Sequence, residues 1–224
     1  MEIIIKDIYK KYGKKEVLKG CSFSASGGSC VGILGENGCG KSTLLSILAG
    51  VQRADGGQFL YDETDLLRDQ KKRRQTVGYI PQGTPLIEEL SARDNLLLWY
   101  DKKTMAEELD HGVLARLGIP AFLNTPVSQL SGGMKKRLSI ACAVWSHPTV
   151  LLLDEPMSAL DLGCKKEIYS YISEQKKQGG ILILVTHDIL ELKLCDRCYT
   201  LQDGILIPGA PADAMKELAD LGMV

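Results

Sequence analysis

Residues 35–43 read Gly35-Glu36-Asn37-Gly38-Cys39-Gly40-Lys41-Ser42-Thr43, which fits the pattern G-x-x-x-x-G-K-[ST]. Glycines let a backbone curl until successive N–H groups face one point, and a helix opening at Lys41 aims its own free N–H groups there. The ligand that suits such a cradle is a polyphosphate. Lys41 has the reach for its outer phosphates, and the Ser42 hydroxyl suits Mg2+. Gly35, Asn37, Gly38, Cys39, Gly40, Lys41, Ser42 and Thr43 are therefore the candidate phosphate-binding residues. Cys39 keeps two readings open: a thiol activated by a positive helix end, or a tolerated small residue.

Leu151-Leu152-Leu153-Asp154-Glu155 places two acids where a buried strand emerges. In an open parallel sheet, ligands lie at those carboxyl ends. Asp154 is suited to the Mg2+ shell, and Glu155 to activating a water as general base. Leu130-Ser131-Gly132-Gly133-Met134 opens another helix, with Ser131 able to cap it and two glycines that let a phosphate approach its N–H groups. Gln82 follows Ile80-Pro81, and His187 follows the apolar run 181–186. His111 and His147 match no pattern and read as surface or structural residues.

The elements that must hold these groups follow from periodicity. Short apolar runs at 3–9, 17–25, 29–34, 58–61, 77–80, 150–154, 181–186, 197–201 and 205–207 read as strands. Helical spacing marks 41–49, 66–74, 94–100, 105–117, 131–145, 165–176, 188–194 and 212–221. Strands alternating with helices imply an α/β core with a mainly parallel sheet. The stretch from about 84 to 147 carries helices only and reads as an inserted lobe. Of its apolar residues Leu86, Ile87, Leu96, Leu97, Leu98, Trp99 and Tyr100 some must pack the lobe's own core, but so small a lobe is expected to leave a patch of them for a partner.

In order and spacing the motifs resemble the ATP-binding cassette (ABC) family, whose signature is LSGGQ. The resemblance spans most of the chain: the loop at 35–43, Gln82, the core at 130–133, Asp154-Glu155-Pro156, Ser158-Ala159-Leu160-Asp161, and His187. It implies a P-loop NTPase core with an N-terminal antiparallel β subdomain and an inserted α-helical lobe. The whole chain is then one ATPase domain, with 1–83 and 148–224 as nucleotide-binding core and 84–147 as lobe. It further implies that Tyr12 stacks on adenine, that Gln82 binds Mg2+ or the water, and that His187 contacts the γ-phosphate. Ser131, Gly132 and Gly133 would meet ATP held by a second ABC subunit, and Asp161 would contact that subunit's phosphate loop. Glu155, His187 and Lys41 are the catalytic set, and Ser42, Gln82 and Asp154 the metal set. Met134 stands where the family has Gln, and Met157 where Thr is common; neither removes a group the chemistry requires. The run 130–138 is similar to exporter-type (ABC-2) ATPases more than to nutrient importers.

The partners implied are ATP, a second cassette and membrane-spanning permease subunits. The expected location is cytoplasmic, peripheral on the inner face of a membrane, since no run approaches the roughly 18 apolar residues of a span and the first residues lack a secretory pattern. Net charge is -1, from 27 basic and 28 acidic residues, which gives no drive toward nucleic acid. The basic runs at 71–74 and 135–137 read as solvated helix faces. Seven scattered cysteines oppose a disulfide framework, and Cys195-x-x-Cys198 lacks the second pair a zinc site needs. A GTPase would carry Asn-Lys-x-Asp, which is absent from the sequence. A non-transport cassette ATPase and a nucleotide sensor without turnover are the remaining classes. Intact Glu155 and His187 oppose the sensor, and the single cassette without coiled coils opposes the known non-transport types.

Overall fold

A computed structural model describes residues 1–158 and 160–220. Ala159 of the expected 158–161 motif and Leu221 of the last expected helix lie outside the described residues. The chain opens with an antiparallel pair, β1 (Glu2–Tyr12) and β2 (Lys15–Ser26). Ile3 and Ile5 point inward by strict alternation, but the next buried residue is Ile8. The slip arises at Asp7, whose φ of 50° forms a bulge. β3 (Cys30–Leu34) follows and leads into α1 (Lys41–Ala49), which stops at Gly50, φ 79°. β4 (Gly56–Tyr61) and β5 (Thr64–Asp65) complete a four-stranded antiparallel sheet in the order β2-β1-β4-β5.

α2 (Gln70–Thr76) and β6 (Val77–Ile80) come next, then a run of helices. These are α3 (Ala92–Leu97), α4 (Lys102–Asp110), α5 (Val113–Arg116), two single 3-10 turns near Pro120 and Pro126, and α6 (Gly132–Ala143). The one helix expected over 105–117 is thus two. The Glu108 carboxylate accepts the Val113 N–H at 2.6 Å and starts a new helix at Gly112. β7 (Val150–Asp154), α7 (Leu162–Lys177), β8 (Ile181–Val185), α8 (Ile189–Leu192), β9 (Arg197–Gln202), β10 (Ile205–Gly209) and α9 (Pro211–Asp220) finish the chain.

The second sheet has the order β10-β9-β3-β8-β7-β6, parallel throughout except for the antiparallel edge β10. Side chains alternate cleanly across it. Val31, Ile33, Val150, Leu152, Ile181 and Ile183 join one core with α1 and the antiparallel sheet. Cys30, Leu34, Leu151, Leu153, Leu182 and Leu184 face the other way, into a core shared with the 92–143 helices. The helical segment therefore has no core of its own; it continues one face of the central sheet. Among the described residues no helix is long and apolar enough to cross a membrane.

Candidate functional site

The crossover connections put four loops at the carboxyl ends of β3, β6, β7 and β8, and the candidate residues sit on those loops. A cleft of about 1060 Å³ opens there, lined among others by Gly35–Cys39, Gln82, Glu155 and His187. The phosphate loop is held in its curl from both sides. A Cβ on Gly35, φ 140°, would lie 2.5 Å from the Leu201 carbonyl oxygen, and one on Gly40, φ 115°, 2.8 Å from Val17. Lys41 is buried, and its Nζ donates to the Gly35 and Glu36 carbonyls at 2.6 and 2.9 Å. Gly40 gives α1 no side-chain cap, so the helix's first N–H groups remain available to an anion. Cys39 tucks its half-buried side chain against the core under the antiparallel sheet. That favours the packing reading.

Asp154 is 2% exposed. Burial raises its carboxyl above the usual range, while the hydroxyl of Ser42 hydrogen-bonds to it and opposes the rise. The Tyr79 hydroxyl bonds the same carboxylate, and burial, then Asp154, push that phenol up to about 12. Glu155 adopts φ 46°, a left-handed conformation that costs about 1–2 kcal/mol for a residue with a Cβ. Its N–H donates to Val185 O at 2.9 Å, which pins the turn to β8. Gln82 Nε2 donates to Glu155 Oε2 at 2.9 Å. His187 Nε2 lies 4.0 Å from Glu155 Oε1, too far for a hydrogen bond, and is buried without a partner among the described residues. Burial and Lys41 pull the His187 pKa down against the pull of Glu155, leaving a neutral ring. An orphaned imidazole nitrogen beside a carboxylate and a phosphate cradle suits a ligand oxygen.

The structure lines this cleft with Gly35, Asn37, Gly38, Cys39, Gln82, Glu155 and His187, sets Lys41, Ser42 and Asp154 beside them, and leaves Tyr12, Ser131, Gly132, Gly133 and Asp161 out of its lining. Tyr12 ends β1 with its ring about half exposed and its hydroxyl bonded to Gln52; Val17, not Tyr12, lines the cleft. Ser131 Oγ caps α6 by accepting the Met134 N–H at 3.2 Å. Asp161 caps α7 in the same way, accepting from Cys164 N at 3.0 Å. The paired glycines differ. A Cβ on Gly132 would meet nothing within 4 Å, whereas one on Gly133 would lie 2.3 Å from Cys164 Sγ. Only Gly132 is free for close approach by a phosphate; Gly133 is buried against α7.

A sequence model of the family described as ABC transporter matches residues 18–158. The chain belongs to the ABC transporter family. It is 34% identical to the Nod factor export ATP-binding protein I of Rhizobium etli, over 95% of this chain and 69% of that protein. It is 35% identical to the spermidine/putrescine import ATP-binding protein PotA of Spiroplasma citri, over 97% of this chain but only 64% of PotA. Against the lipopolysaccharide export ATP-binding protein LptB of Acidithiobacillus ferridurans it is 30% identical, over 94% of this chain and 90% of that protein. The chain thus spans about two thirds of PotA and most of LptB. A nucleotide-free cassette of an ABC transporter shares the fold, with TM-score 0.86 at 22% identity over 98% of this chain and 96% of that one. A dimeric post-hydrolysis cassette bound to ADP and Pi superposes with TM-score 0.80 at 27% identity, over 93% of this chain and 98% of that one. The protein is an ATP-binding and ATP-hydrolysing subunit of an ABC transporter. Its relatives both export and import, so the shared property is the hydrolytic cassette rather than a direction of transport.

Two residues of this ABC ATPase escaped the sequence reading. Lys136 belongs to the 135–137 run expected on a solvated face, yet it is 4% exposed and donates to Pro81 O at 2.7 Å and Gln82 O at 3.3 Å. Burial pulls its ammonium down to about 8 against Asp154, Glu191 and Glu155. Its neighbours were closer to expectation: Lys135 is partly exposed and pairs with Glu88, and Arg137 pairs with Glu167 of α7 at 2.8 Å. Glu191 in α8 is 1% exposed and accepts the Met157 N–H at 2.9 Å, and burial lifts its carboxyl to about 7. The signal for Lys136 was helical spacing: it stands three residues after Gly133 and four before Ile140, both buried.

Proposed function

We propose that two cassettes, this chain with a copy of itself or a related one, close head to tail on two ATP molecules, and that closure moves separate membrane-spanning subunits. The observation that carries this reading is the position of Ser131 and Gly132: exposed, at an open helix start, and outside the cleft that holds Lys41, Glu155 and His187. A phosphate bound on the loop at 35–43 of one subunit is then sealed by the Ser131-Gly132 helix start of the other. Asp161, also exposed, faces the opposite phosphate loop, and Tyr12 offers its ring to the adenine.

Within one site the geometry supports the following roles. Loop N–H groups and Lys41 hold the β- and γ-phosphates; the two carbonyls that Lys41 now bonds are exchanged for phosphate oxygens. Ser42, Asp154 and Gln82 present hard oxygen donors that fit Mg2+ held jointly with substrate phosphates. The ion neutralises phosphate charge when bound. Glu155 accepts a proton from the attacking water, kept in place by Gln82 and with its backbone locked on β8. Neutral His187 donates or accepts at the γ-phosphate and the water. Such positioning and charge neutralisation are what phosphoryl transfer to water requires. Loss of the γ-phosphate removes the bridge between subunits and lets them part.

The proposed domain division, 1–83 with 148–224 as core and 84–147 as lobe, puts the handle for a membrane subunit on the lobe. Ile87, Leu98 and Trp99 are exposed there, whereas Leu96 and Tyr100 fill the core. The cassette would thus work at the cytoplasmic face of the membrane without crossing it. The test is Glu155→Gln. Mg2+-dependent turnover should fall about 10²-fold or more while ATP still binds, and the variant should accumulate as an ATP-bound dimer. Undiminished turnover, or a monomer at saturating ATP, defeats the reading.

A further inference from the structure

The first turn of α6 and the general base lie on different elements, yet one unbroken line of hydrogen bonds joins them. Lys136 sits one helical turn after Gly132 and Gly133. Its buried Nζ donates to two successive carbonyls, Pro81 at 2.7 Å and Gln82 at 3.3 Å, on the segment that follows β6. The Gln82 side chain in turn donates to Glu155 Oε2 at 2.9 Å. We propose that Lys136 is a positioning residue that ties the Gln82 segment to the signature helix, so that the seating of α6 sets the placement of Gln82 against Glu155.

Three features favour a lysine here for position rather than for packing. An ammonium is expensive to bury, and an apolar side chain of the same length would fill the space at less cost. Charge-assisted bonds to two consecutive carbonyls fix the backbone's orientation as well as its distance. Asp154, Glu155 and Glu191 all act on Lys136 electrostatically, so it lies at the meeting point of the loops after β6, β7 and β8. α6 is also the element whose start is expected to meet a second subunit's nucleotide. A shift of that start reaches Gln82 through Lys136 without any contact between Lys136 and ATP. The inference rests on the two-cassette reading above for its trigger, but the local coupling is measurable in basal turnover.

The experiment compares Lys136→Met, which keeps the stem and removes the donors, with Gln82→Ala and with the double variant, in steady-state ATPase assays. Lys136→Met should lower kcat about 10- to 100-fold with KM for ATP changed less than about threefold, since misplacement at the reacting atoms costs rate rather than binding. Added to Gln82→Ala, it should lower kcat by less than about twofold, because the two residues act in series. A merely structural lysine would instead multiply its loss in full onto Gln82→Ala, and that result overturns the proposal, as does a kcat within about twofold of wild type. If Lys136→Met does not fold, Lys136→Leu, which likewise carries no donor, is read by the same criteria. ATP-driven dimerisation of Glu155→Gln separates the two levels. Its absence sinks the two-cassette reading, whereas dimerisation with an unaffected Lys136→Met sinks this inference alone.

Discussion

Substituting Gly132 and Gly133 one at a time separates what the signature does for the fold from what it does for the ligand. Both stand in the first turn of α6, so alanine gains up to about 1 kcal/mol of helix preference at each, and this gain cancels in the comparison. At Gly133 the new Cβ would sit 2.3 Å from Cys164 Sγ and 3.3 Å from Cys164 Cβ. The sulfur must swing away from the Asp161 carboxylate that it bonds, or α6 must lift from α7. Overpacking of this kind costs about 1–3 kcal/mol. At Gly132 nothing stands in the way. Gly133→Ala should therefore melt below Gly132→Ala by on the order of 2–12 °C in a chain of this size. Cys164→Ala should largely abolish the difference by emptying the contested space. Gly132→Ala should keep its fold but lose ATP-driven dimerisation in the Glu155→Gln background, because its methyl group would point toward the nucleotide that the proposed second cassette holds. Equal melting temperatures, or a penalty that persists with Cys164→Ala, would refute the packing role given to Gly133.

Removing the ammonium in Lys41→Met should weaken nucleotide binding at least about tenfold in a fluorescent-nucleotide titration, because the γ-phosphate loses its charge-assisted partner; unchanged affinity would take Lys41 out of the site. Glu191 predicts a pH dependence. Its folded-state value near 7 exceeds the ordinary 4.5, so the native state holds a proton that the unfolded chain releases, and its contribution to stability declines as pH rises through that window. Glu191→Gln should gain on wild type by up to about 3 kcal/mol between pH 5 and 7.5, read from urea unfolding at both pH values. Parallel curves would show that the carboxyl is not buried as described.

The turn into α1, the acids at the end of β7 and most strand segments along the chain were legible because each depends on chemistry local in sequence. Gly40 and Gly50 bound α1 where expected, and the leucines of β7 must be buried on both faces. Periodicity failed where local chemistry or distant packing overrode it. The run from Met105 to Leu117 keeps a helical pattern across Gly112, but the Glu108 cap on Val113 interrupts it. Trp145 continues the spacing of Leu138, Ala141 and Cys142, yet the chain leaves the helix at Val144, and Trp145 is 39% exposed. Cys195 and Cys198 turn out to be packing thiols. Their sulfurs fill the space that Gly32 leaves open, and the Sγ of Cys195 lies 3.7 Å from that of Cys30. A neighbour 165 residues away cannot be read from a spacing of three.

The first turns of α6 concentrate their contacts in a way that limits how the cassette can move. Gly133 packs on Cys164 and Arg137 pairs with Glu167, both on α7, while Lys136 bonds the segment after β6. Asp161, which caps α7, is three residues before Cys164. Thus one short helix start is fixed both to the segment bearing Asp161 and to the segment bearing Gln82. Any displacement of Ser131 and Gly132 must strain one attachment or carry both segments along. The packed contacts resist partial slippage, since interiors are dense and side chains occupy discrete rotamers. A helix held in this way would pass a shift of its exposed end as a rigid movement to both segments, the one bearing Gln82, which bonds Glu155, and the one bearing Asp161.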